Sequence, residues 1–188
     1  MQKIEKNEKK KGVTTKQIVF MALMTALSIV LGKFLAINVT EMIRIGLENL
    51  PIILVAVTLG PVRAAMVAVV ADLLGCVLRG YTINPVVTLG ACAFALVCGF
   101  LFKYIKSPAN IARLTIAVIP AHFIASVVIK TIGLASFYLA NYDIGFGTLF
   151  FIRLAVYALT AVVEIFAVLF LLKSKAINKQ IRKMQEGE

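Results

Sequence analysis

Residues 43–90 read IRIGLENLPIILVAVTLGPVRAAMVAVVADLLGCVLRGYTINPVVTLG. Two apolar runs meet at Gly60-Pro61, a dipeptide that ends one helix and starts the next. Arg44 stands in the segment before the first run, seven residues ahead of Pro51. Asp72 lies inside the second run. The polar turn Arg79-Gly80-Tyr81-Thr82, followed by Asn84-Pro85, closes the stretch. A cation in a loop, a carboxylate within an apolar helix and a hydrogen-bonding turn rarely share a soluble core. They suit a membrane bundle that gathers polar groups at one end.

Composition points the same way. Of 188 residues, 61% are hydrophobic and 15% charged, and the mean hydropathy is +0.95. Soluble domains are nearer ~45–50% apolar and ~25% charged. A bilayer leaves no water for backbone groups, so long apolar runs imply helices. The ~10-residue alternation of barrel strands is absent. Expected, then, is an all-α integral membrane protein, multi-pass in the cell membrane, with six transmembrane helices and both termini cytoplasmic.

The helices are expected at about 16–36, 48–59, 62–78, 85–102, 114–140 and 148–172. Residues 1–15 and 174–188 are basic cytoplasmic tails flanking a transmembrane domain at 16–173. The second helix is short: ~12 residues rise ~18 Å against a ~30 Å hydrocarbon core, so it starts earlier or is buried in protein. The fifth is expected to kink near Pro120. Residues 33–47 read as an external loop. Small residues recur on one face of the third helix (Ala64, Ala68, Ala71, Gly75) and of the fourth (Asn84, Thr88, Ala91, Ala95, Gly99). On the first helix Ala22-x-x-x-Ala26 allows another helix to approach closely.

Charge fixes the orientation. With the termini inside, fifteen of the 20 basic residues are cytoplasmic, and Lys33, Arg44 and Arg79 are outside. Lys130 and Arg153 remain within spans. They lie ~15 Å and ~8 Å below the outer surface at 1.5 Å per residue. Arg44, Arg79, Lys130 and Arg153 therefore suggest one outward-facing pocket for an anionic solute. Arg153, Tyr157, Thr160 and Glu164 share a helix face, as do His122, Ser126 and Lys130. The competing reading is snorkelling of Arg153 and an internal Lys130–Asp72 pair. The candidate substrate-binding residues are Arg44, Asp72, Tyr81, Asn84, Lys130, Arg153 and Tyr157. His122 reads as a packing residue, and the role of Glu164 is open.

Several chemistries find no support. There is no G-x-x-x-x-G-K-[ST] loop, no H-E-x-x-H and no acid pair near the outer site, so no enzyme, cofactor or metal is expected. Cys76, Cys92 and Cys98 match no metal or redox spacing and read as packing residues. The basic tail lacks an aromatic platform and flanks a span, which argues against nucleic acid. Six helices without a repeat are few for a complete secondary transporter. A binding subunit energised by partners fits better.

The motifs carry a resemblance. Arg44 with Pro51, Leu59-Gly60-Pro61, Ala71-Asp72-Leu73-Leu74-Gly75, Pro85 with Thr88-Leu89, and Ala22-x-x-x-Ala26 resemble an S component of an energy-coupling factor vitamin transporter, of the folate family. The resemblance implies a substrate-binding subunit that joins a membrane coupling subunit and two ATPase subunits, docks through Ala22 and Ala26, and tilts in the bilayer when loaded. It implies a folate-like ligand. Another vitamin or solute (pantothenate, riboflavin or a queuosine precursor) and a stand-alone carrier are the alternatives. Tryptophan is absent, so a ligand ring would stack on Tyr81, Phe137, Tyr138, Tyr142 or Phe146.

Overall fold

The computed structural model describes residues 13–38, 44–105, 110–138 and 145–174. Nearly all of both expected tails, and Tyr142, lie outside these residues. Helix α1 (Thr15–Ile29) opens on a capping box, in which the Thr14 hydroxyl accepts from the Gln17 N–H and the Gln17 side chain accepts from the Thr14 N–H. A π-helical segment, Val30–Phe34, extends it. Two short antiparallel strands follow, β1 (Ile37–Asn38) and β2 (Arg44–Ile45), with Asn38 opposite Arg44.

Helix α2 (Asn49–Leu59) begins no earlier than expected. Its 11 residues rise ~16 Å, and nine of them are buried. The second of the two expected explanations for its shortness therefore holds: surrounding protein, not lipid, covers it. Gly60 turns the chain at φ 94°, a conformation that disfavours side chains, and Pro61 starts α3 (Pro61–Arg79). Gly80, left-handed at φ 67°, ends α3. Asn84 caps α4 (Pro85–Tyr104) by accepting from the N–H groups of Val86 and Val87.

The fifth expected helix begins at Asn110 and has three parts. Helix α5 (Asn110–Ala121) contains Pro120, a π-helical segment runs His122–Ile129, and α6 spans Lys130–Tyr138. Proline lacks an N–H and its ring crowds the carbonyl four residues earlier. The irregularity expected at Pro120 takes the form of this change of hydrogen-bond register. Helix α7 (Phe146–Lys173) is continuous over 28 residues.

With the π segments joined to their helices, the chain forms the expected all-α bundle. Among the described residues five helices have the length and apolarity to cross a membrane, and α2 is the short sixth. Helices α3 and α4 pack on each other, and the small residues expected on their faces are buried: Ala64, Ala68, Ala71 and Gly75 on α3, and Ala91, Ala95 and Gly99 on α4. Ile53, Val55, Phe94, Leu114, Val118 and Val168 fill the core around α2.

Candidate functional site

Lys33 does not lie in an external loop. It sits on the π-helical end of α1, 5% exposed, with its ammonium 3.3 Å from Asp72 Oδ1. The other Asp72 oxygen accepts from the Thr88 hydroxyl at 2.8 Å. Asp72 is thus held between α1 and α4, and Lys130 does not pair with it. Lys130 instead donates to Glu48 Oε1 at 3.1 Å, while Glu48 Oε2 lies 3.7 Å from an Arg44 nitrogen. Two ion pairs therefore stand side by side. Lys33, Asp72, Glu48 and Lys130 line one cavity with Ser28, Asn49, Ile52, Ala68, Ala71 and Ala91.

Glycines make room for these side chains. A Cβ on Gly75 would lie 2.8 Å from Lys33 Cε, one on Gly90 2.6 Å from Lys130 Cγ, and one on Gly32 2.5 Å from Glu48 Cβ. Each long charged side chain thus lies in a notch on a neighbouring helix. The Ser28 hydroxyl donates to the Glu48 carbonyl at 2.7 Å and pins the start of α2 to α1.

Glu48 precedes α2 and lies outside the spans. Burial works against its charge, but Lys130, Arg44 and Lys33 outweigh burial and hold its carboxyl well below the usual carboxylate range. Asn49, 1% exposed, turns an amide into the same region, and its Nδ2 has no hydrogen-bond partner among the described residues. A buried donor without an acceptor is costly, so this amide is available to an acceptor that enters the cavity. The cavity volume is about 20 Å³. That is the scale of a single water, against roughly 300 Å³ or more for a small-molecule pocket.

Beside the cluster the surface is cationic and aromatic. Tyr81 has Arg44 at 5.7 Å and Lys33 and Arg79 at 6.0 Å from its ring centre. Arg79 also lies 5.2 Å from the Phe34 ring. Such cations over a ring favour a planar, electron-rich partner in their midst. Of the other stacking candidates, Phe146 is exposed at the start of α7. The side chains of Phe137 and Tyr138 lie outside the described residues.

Arg153 and Tyr157 belong to a neighbouring cluster. Arg153 is 3% exposed, so it does not snorkel. It donates to the Thr131 hydroxyl at 2.9 Å, the Ser126 carbonyl at 3.0 Å and the Tyr157 hydroxyl at 3.3 Å. It ties α7 to the π segment and to the first turn of α6, next to Lys130, but does not line the cavity. Asn84 donates to the Gly133 carbonyl at 2.8 Å as well as capping α4. Deeper, His122 Nε2 meets Glu164 Oε2 at 2.7 Å, with Phe94 edge-on at 4.8 Å.

Of the seven candidates, the structure gathers Arg44, Asp72, Tyr81 and Lys130 around one polar cluster. It gives Arg153, Tyr157 and Asn84 tasks between helices. Lys33, Glu48 and Asn49 are members that sequence reasoning missed. Glu48 follows Arg44 by four residues, but a strand and a turn separate them, so no helical spacing signalled the pair. No group of three or more metal-binding side chains occurs among the described residues. The cluster offers ion pairing and hydrogen bonding to a bound solute. On the far side of α1, Ala22 and Ala26 are exposed beside Val19, Leu23 and Val30.

Residues 12–178 match the family described as ECF-type riboflavin transporter, S component. No curated protein matches by sequence. Among solved structures the fold is similar to "Crystal structure of FolT bound with folic acid", with TM-score 0.63, 24% identity and coverage of 84% of this chain and 93% of that one. It is also similar to "Structure and mechanism of the S component of a bacterial ECF transporter", with TM-score 0.65, 21% identity and coverage of 85% and 98%.

Proposed function

The chain belongs to the family of ECF-type transporter S components, and from that premise we propose that it captures a water-soluble vitamin from outside for ATP-driven uptake. The ligand read first is folate, a fused ring carrying carboxylates. The observation that carries this reading is the mouth: Lys33, Arg44 and Arg79 around the Tyr81 ring, with Lys130 behind them. The ring stacks at Tyr81. Lys130 and Arg44 take an acidic end through charge-assisted hydrogen bonds, and the Asn49 amide meets an acceptor of the ligand. The family description favours a second reading, riboflavin. A neutral ligand of that kind would bond to the ion pairs and leave them in place.

The proposed partners are a membrane coupling subunit, docked on the exposed Ala22–Ala26 face of α1, and two ATPase subunits. The shallow surface left by two alanines lets a partner helix come close. The proposal is tested by titrating folic acid and riboflavin into the detergent-solubilised chain without nucleotide. Binding of one of them by the isolated subunit is expected. Binding of neither removes the folate and riboflavin readings, and no binding by any other water-soluble vitamin removes the vitamin reading.

A further inference from the structure

Glu48 divides its carboxylate between two cations on different elements. Oε1 takes Lys130, at the start of α6, and Oε2 faces Arg44, on β2. An acidic ligand entering past Arg44 needs the same two donors. It cannot share them with Glu48, because two carboxylates side by side repel and a cavity of about 20 Å³ does not hold a second one.

We propose that the place between Lys130 and Arg44 is an exchangeable carboxylate site, in which Glu48 is a built-in anion that an acidic ligand displaces. This rests on reading the cluster as the capture site. Exchange leaves both cations paired, so the buried Lys130 ammonium is not stranded, and the displaced Glu48 carboxylate turns toward the exposed side. The location of Glu48 suits the task. Its side chain is 22% exposed and it precedes α2, whereas Asp72 is locked mid-helix by Lys33 and Thr88. Its backbone carbonyl stays fixed by Ser28 while the side chain rotates. A ligand with no anionic group has nothing to put in place of Glu48. The residue therefore discriminates by charge: it admits acids and resists their neutral analogues.

The test uses the full chain in detergent. In Glu48→Ala, free acetate is expected to raise the melting temperature saturably, beyond chloride at equal ionic strength. The effect is expected to be absent from wild type and from Glu48→Ala combined with Lys130→Met. No acetate-specific effect, or the same effect in the double variant, overturns the proposal. Should Glu48→Ala not fold, Glu48→Gln replaces it, with folic acid and folic acid diamide as probes. The weaker neutral partner is expected to tighten folic acid binding about tenfold and leave the diamide unchanged. Equal changes for both, or weaker folic acid binding, overturn it. Wild type binding neither folic acid nor riboflavin would defeat the folate and riboflavin readings alone, because the acetate comparison still decides the site.

Discussion

Lys130 is the residue on which the proposed capture site turns. Its ammonium is buried, its stem fills the Gly90 notch, and Glu48 neutralises it. Lys130→Met keeps the length and removes the charge. A hydrogen bond to a charged group contributes ~1.5–3 kcal/mol, so affinity for folic acid is expected to fall ~10–150-fold at 1.4 kcal/mol per decade. Calorimetry on the folded variant checks this, and unchanged affinity would take Lys130 out of the site. Sequence alone brought Lys130 forward, because a charge within a span is rare and faces the bundle interior. It did not identify the partner. Asp72 was the evident counter-charge, but which carboxylate meets Lys130 depends on how far α1 and α2 reach across the bundle. The same limit hid Lys33, which stands at the end of an apolar run where a loop was expected to begin. Only the π-helical continuation of α1 brings it to Asp72.

At the scale of elements, the contact between the end of α1 and the start of α2 governs the site. A Cβ at Gly32 would meet Glu48 Cβ at 2.5 Å and Oε2 at 2.7 Å. The near atom belongs to the stem close to the backbone, so it cannot swing aside. Gly32→Ala is expected to cost ~1–3 kcal/mol as an overpacked contact and to weaken the Glu48–Lys130 pair. Gly145→Ala, with nothing within 4 Å of the added methyl, serves as the neutral control. Equal melting temperatures for the two variants would contradict the notch. Most helices were legible beforehand from hydrophobic runs bounded by Gly60-Pro61 and Asn84-Pro85. The π segments were not, because they obey no residue periodicity of their own and record how neighbouring helices pack. Arg153 shows the consequence. Its face was read correctly, but the Ser126 carbonyl that it meets belongs to the π segment.

For the whole molecule, the polar cluster and the Ala22–Ala26 face are proposed to serve different events, and the structure keeps them apart. Ala22 and Ala26 are exposed on α1, whereas Ser28 and Lys33 on the same helix turn inward. Changing Ala22 or Ala26 to Leu is expected to block close approach of a partner helix. Vitamin uptake by cells should drop, while ligand binding by the isolated subunit stays at the wild-type level. Lost binding with intact complex assembly would reverse that assignment. The central claim is that the isolated chain captures a vitamin by itself. Calorimetric titration of the purified subunit with folic acid and with riboflavin, without nucleotide or partner subunits, tests it most directly. The account predicts one-to-one binding of folic acid, with the diamide binding more weakly. Heat from neither vitamin, on a folded subunit freed of any small molecule carried through purification, would contradict it.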